Sequence, residues 1–230
     1  MSWRTMIATA LLLGVASAPG WGRAAQASVG AKVEKHAAAD EQRARNYFTD
    51  LPLITHDGEQ VHFYTDVLKD KVVLINFVYT NCTTACPLLT HKLTLVRDMV
   101  EGQLGDPIHF VTISLDPARD TPAALKAFAR RHHADHRGWV FLTGASANVN
   151  GIIKKLGQYS PDLESHSTLM LAGNVRTAHW MKIPPTMPPA AIAEKLRLLA
   201  EESPTRVPGH ARRPTAGVVA SEPRSQGGAR

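Results

Sequence analysis

Residues 71–80 read Lys-Val-Val-Leu-Ile-Asn-Phe-Val-Tyr-Thr, a nearly unbroken apolar run rich in β-branched and aromatic residues. Such a run fits a strand buried on both faces, and a strand of that kind needs layers of structure above and below it. It leads within two residues to Cys82, and Cys86-Pro87 follows. After Pro87, apolar residues at Leu89, Leu93, Val96 and Val100 recur at three- and four-residue steps and give a helix one inward face, with proline suited to its first turn. The helix is expected to end near Gly102 or Gly105.

The pattern then repeats. A second buried-strand run over 108–115 leads to Asp116-Pro117, and a helix opens with Asp120 or Thr121 as cap, Pro122 in its first turn, and Leu125, Phe128 and Ala129 inward. Further on, the spacing predicts a short strand over 139–142, a helix over 146–156, a strand over 168–171, a Gly173-Asn174 turn into 175–183, and a closing helix over 188–199. Upstream, short β-type runs flank Asp57-Gly58, which predicts a hairpin. Strands alternating with helices imply an α/β fold, its central sheet mixed because of the hairpins and flanked by helices on both faces.

The ends of the 230-residue chain differ from this middle. Arg4, an apolar stretch over 6–15 and small residues up to Ala25-Gln26-Ala27 read as an export signal over 1–27, cleaved before Ser28 or kept as an N-terminal anchor. The apolar stretch is well short of the roughly 20 residues that cross a bilayer. Residues 28–46 read as a linker or frayed helix, 47–202 as one globular domain, and 203–230 as a disordered basic tail. The net charge of +6 comes partly from that Pro-, Gly- and Ser-rich tail, so solvation explains it more simply than nucleic acid does. An anionic membrane surface or an acidic partner is the better match for a basic contact.

Two cysteines are too few to staple a chain of this length, and local chemistry accounts for them better. They stand where a buried strand gives way to a helix, which is where open α/β sheets place ligand sites. On a helix, four residues turn about 400°, so both sulfurs share one face and can bind one metal or each other. The helix N-terminus favours thiolate, whereas a disulfide closing so small a loop adds little stability.

A soft metal held by two thiolates needs a further ligand, and imidazole is the usual neutral one. Eleven histidines compete for that place. His91 follows Cys86 by five positions and points about 140° away on a helix. His132, His133 and His136 form a polar segment with Asp135, which reads as a solvated loop. His166 lies after the turn-prone Tyr159-Ser160-Pro161-Asp162, on a loop entering the sheet; alone it reads equally as a surface residue or a ligand.

Three motifs resemble those of the Sco family (SenC or PrrC type), thioredoxin-fold copper proteins. The first is C-x-x-x-C-P after a buried strand, here Cys82-Thr83-Thr84-Ala85-Cys86-Pro87. The second is a strand ending in S-x-D-P-x-R-D-T-P, here Ser114 to Pro122. The third is a histidine before a Ser-Thr pair and a strand, here His166-Ser167-Thr168. The chain departs from the family habit at Thr83, where proline often follows the first cysteine, and at Ser165, where an acidic residue often precedes the histidine.

The resemblance implies a thioredoxin-like fold and binding of Cu(I) or Cu(II) by Cys82, Cys86 and His166, with Asp116 beside the site. It implies delivery of copper to the binuclear copper centre of cytochrome c oxidase or reduction of that centre's cysteines. Partners would be the copper-centre subunit of the oxidase or another copper or thiol protein, met in the periplasm or at the outer face of the inner membrane. The alternative reading of the same residues is a thiol-disulfide oxidoreductase working through Cys82 and Cys86.

Overall fold

The computed structural model describes residues 38–202. The export segment, the linker residues 28–37 and the tail from 203 lie outside the described residues. Residues 38–48 are helical (α1), so the second half of the segment read as a linker has regular structure. Its Phe48 is buried, and Glu41 and Arg45 pair with Lys69 and Asp50, which fastens the helix to the domain.

The elements then run β1 (Pro52–Thr55), β2 (Gln60–His62), a short π-helical segment (Phe63–Leu68), β3 (Val72–Val78) and α2 (Ala85–Met99). They continue with β4 (Ile108–Ser114), α3 (Pro122–Arg131), β5 (Trp139–Thr143), α4 (Ser146–Lys155), β6 (Met170–Asn174), β7 (His179–Ile183) and α5 (Pro189–Glu201). One seven-stranded sheet has the order β2-β1-β5-β4-β3-β6-β7. Its centre, β3, β4 and β5, is parallel, and the outer pairings are antiparallel. This is the mixed, helix-flanked sheet of a thioredoxin-like fold.

Every residue of β3 is buried, as a strand covered on both faces requires. Because side chains alternate across a strand, Val72, Leu74 and Val78 face one layer and Val73, Ile75 and Phe77 the other. The first layer is closed by α2 through Leu89, Leu93 and Val96, by α3 through Leu125 and Phe128, and by α5 through Ile192 and Leu196. The second is closed by α4, by Phe48 and by Phe63, Val67 and Leu68 of the π-helical segment.

Two boundaries differ from the sequence reading. Gly173 and Asn174 belong to β6 rather than to a turn, and that strand starts at Met170 rather than at Thr168. The physical reason lies across the strand: Gly173 pairs with Trp180 of β7, and a Cβ at Gly173 would come within 2.4 Å of the indole ring. Glycine there makes room for tryptophan, and the chain reverses over 175–178. Asn174 holds that reversal, its Oδ1 accepting from the amides of Arg176 and Thr177 at 3.0 and 3.3 Å.

The topology gathers one end of the sheet. β3 and β4 are parallel, so their carboxyl ends, leading to Cys82 and to Asp116, lie side by side. β6 runs antiparallel to β3, so the loop that carries His166 enters the sheet at that same end.

Candidate metal centre

Cys82 does not lie on the helix. It lies in the bend after β3, its amide donating to the carbonyl of Tyr79 at 3.1 Å, while Cys86 occupies the first turn of α2. Thr84, at the helix cap position, makes no side-chain cap bond. The Cys82 sulfur takes that role: it accepts the amide of Cys86 at 3.3 Å, which gives one of the orphan first-turn amides a partner. A helix start aimed at a sulfur favours the thiolate.

The two thiols are accordingly unequal. Burial pushes Cys82 up, but hydrogen bonds from the Cys86 thiol, from the Cys86 and Thr84 amides and from the Tyr79 hydroxyl outweigh it, and its pKa is lowered to about 7. Burial first, and then donation of its thiol proton to Cys82, push Cys86 up to about 12. Both cysteines are free thiols and buried. Burial and the bond to Cys82 also push Tyr79 up to about 12, so its hydroxyl keeps the proton it donates.

His166 is half-buried, and its Nδ1 lies 2.5 Å from the carbonyl of Leu163. A carbonyl only accepts, so Nδ1 carries the hydrogen, and the neutral ring keeps its lone pair on Nε2, the tautomer that a metal ligand needs. The ring stands edge-on to Tyr79, with centroids 5.7 Å apart. Tyr79 thus touches the dithiol through its hydroxyl and His166 through its ring. The structure brings Cys82 and Cys86 together and sets His166 beside them across Tyr79; among the described residues no three His, Cys, Asp or Glu side chains stand close enough together to hold a metal ion.

Asp116 lies in the turn after β4, pairs with Arg119 at 3.1 Å, and gives its carbonyl to the amides of Arg119 and Asp120. That turn presents Asp120, a residue that the sequence offered only as a helix cap. Thr121 makes the cap instead, accepting from the Ala124 amide at 3.2 Å. Asp120 is buried and accepts from the Thr80 amide at 3.1 Å, the Thr80 hydroxyl at 2.6 Å and the Ser114 hydroxyl at 2.6 Å. Its charge also reaches Cys86, whose thiol it pushes up. Two cap-type residues before a single Pro122 were the trace of this in the sequence, since one helix needs only one. Tyr79 left no comparable trace.

Among the described residues no other histidine joins the dithiol in a group that could hold a metal ion. His91 is exposed, His132 packs its ring 4.5 Å from that of Phe128, and buried His56 accepts the Phe141 amide on Nδ1 at 3.3 Å.

A mixed sheet with a C-x-x-x-C pair at the carboxyl end of a central parallel strand defines a thioredoxin-like dithiol protein. The chain belongs to the SCO1/SenC family, whose model matches residues 39–201. It is 36% identical over 90 residues to the SCO1 protein homolog of Bacillus subtilis strain 168, covering 39% of this chain and 45% of that protein. Among solved structures, the SCO1/SenC family lipoprotein from Bacillus anthracis superposes with a TM-score of 0.57 at 26% identity, covering 66% of this chain and 93% of that one. The copper-bound structure of Bradyrhizobium japonicum ScoI superposes with a TM-score of 0.54 at 24% identity, covering 64% of this chain and 96% of that one, a likeness of fold alone. The chain spans about half the length of the curated relatives it matches.

Proposed function

We propose that this protein binds copper through the thiolates of Cys82 and Cys86 and the imidazole of His166, and assists assembly of the binuclear copper centre of cytochrome c oxidase. The observation that carries the reading is the Cys82 sulfur: it accepts the amide of Cys86 at the start of α2, and its pKa is lowered to about 7. Thiolates select soft Cu(I), and one imidazole extends the range to Cu(II). The donor types suit such a metal, the Leu163 carbonyl on Nδ1 leaving Nε2 as the ligating nitrogen of His166, and the three side chains must draw closer than they stand here to hold it together. The match to the SCO1/SenC family model over residues 39–201 supports it.

Copper is cargo in this reading, passed by ligand exchange to the copper-centre subunit of the oxidase or to another copper or thiol protein. The work is placed outside the cytoplasm, in the periplasm or at the outer face of the inner membrane, with the N-terminal segment as export signal or anchor. Among the described residues no helix is long and apolar enough to cross a membrane.

The inequality of the thiols favours a second reading, a thiol-disulfide reductase. The Cys82 thiolate would attack a partner disulfide and expel one partner thiolate. Cys86, losing its proton, would then attack the Cys82 sulfur and expel the second, so that two electrons pass from this dithiol to the partner.

Titrating the reduced protein with Cu(I) and Cu(II), beside Cys82→Ser, Cys86→Ser and His166→Ala, tests the first reading against the second. One copper per chain, lost with either cysteine and weakened for Cu(II) without His166, supports the copper role. Weak copper binding that His166→Ala leaves unchanged, with disulfide reduction intact, would hand the site to the second reading.

A further inference from the structure

Asp120 is 1% exposed, yet it has no ion-pair partner among the described residues; the neighbouring guanidinium of Arg119 goes to Asp116 instead. Its three bonds all come from neutral donors, two on Thr80 and one on Ser114. Ser114 Oγ accepts the Asp116 amide at 3.0 Å and spends its one hydrogen on Asp120 Oδ2, while Oδ1 receives two donors. An amide and two hydroxyls around its two oxygens are the donors that a carboxylate calls for. A buried charge is costly unless it is paired, and hydrogen bonds from an amide and two hydroxyls offset only part of that cost. Thr80 is two residues from Cys82, so the unpaired charge stands at the base of the dithiol loop.

We propose that Asp120 is a fixed negative charge beside the dithiol site, a positioning residue that biases the site toward Cu(II) over Cu(I); the inference rests on the copper reading of Cys82 and Cys86. The sign follows from counting charge. Cu(I) with two thiolates carries net charge −1, and Cu(II) with the same two thiolates carries none; a neutral imidazole changes neither sum. A nearby fixed anion repels the first and leaves the second unaffected. Proton release from the two thiols is the same for both ions and cancels in the ratio of affinities.

The test compares Cu(I) and Cu(II) dissociation constants of the wild type with those of Asp120→Asn, which keeps the shape and removes the charge. The ratio should move by about tenfold or more in favour of Cu(I), the size expected of one unit charge in a partly buried site. Asp120→Glu should keep the wild-type ratio even if both affinities fall, and Asp120→Ser gives the neutral readout should the amide variant not fold. Equal weakening of both ions, with the ratio unchanged, would make Asp120 a structural brace only and overturn the inference while leaving the copper role standing. Failure of the wild type itself to bind either ion would overturn the copper role and this inference with it.

Discussion

The amide of Cys86 donates to the sulfur of Cys82 at 3.3 Å, so the first cysteine caps the helix that carries the second. This bond acts with the hydrogen bond from the Cys86 thiol and the burial of Cys86 to set apart two chemically identical side chains four residues apart. The capping sulfur receives donors and becomes acidic, whereas the capped residue is buried and gives its proton away.

Alkylation should reflect that difference. With the reduced protein and iodoacetamide, Cys82 should react first, its rate rising with pH through a midpoint near 7, while Cys86 stays unmodified across the same range. The sign is that of an acid whose folded pKa lies below its free value: the thiolate is present above the midpoint and lost below it. Mass spectrometry of the first adduct checks it, and a label found first on Cys86 would contradict the capping geometry.

Tyr79→Phe removes a hydroxyl that donates to Cys82 and keeps the ring that meets His166. The alkylation midpoint of Cys82 should move to higher pH, with unfolding little changed. An unmoved midpoint would mean that the helix amides and the Cys86 thiol suffice.

The elements that place the dithiol were legible in the sequence. The buried run before Cys82, the helical spacing after Pro87 and the cap before Pro122 each gave the right element, because burial and capping are written in single residues. What could not be read was contact across the fold. Gly173-Asn174 has the composition of a turn, yet the indole of Trp180 opposite makes glycine a packing requirement within a strand. Asp120 has the composition of a cap, and only the parallel pairing of β3 with β4 brings Thr80 and Ser114 to it.

Gly173→Ala should accordingly destabilise the domain by about 1–3 kcal/mol through overpacking. Because the clash is with the Trp180 ring, Trp180→Leu should recover part of that loss in the double variant, a coupling that urea unfolding would measure. Additive losses would place the strain elsewhere.

Thr121→Ala removes the hydroxyl that caps α3 and should cost about 1 kcal/mol in urea unfolding. Alkylation of Cys82 should be unaffected, since Asp120 keeps its own three donors. A change in Cys82 reactivity would show that the cap, and not Asp120 alone, ties α3 to the dithiol loop.

The ligand set itself is most directly read by copper X-ray absorption on the reduced protein loaded with one equivalent of Cu(II). The expected spectrum contains two sulfur donors and at least one imidazole nitrogen, with one sulfur lost in Cys82→Ser or Cys86→Ser and the imidazole signature lost in His166→Ala. A spectrum of nitrogen and oxygen donors only, unchanged in the cysteine variants, would contradict a copper site at Cys82 and Cys86.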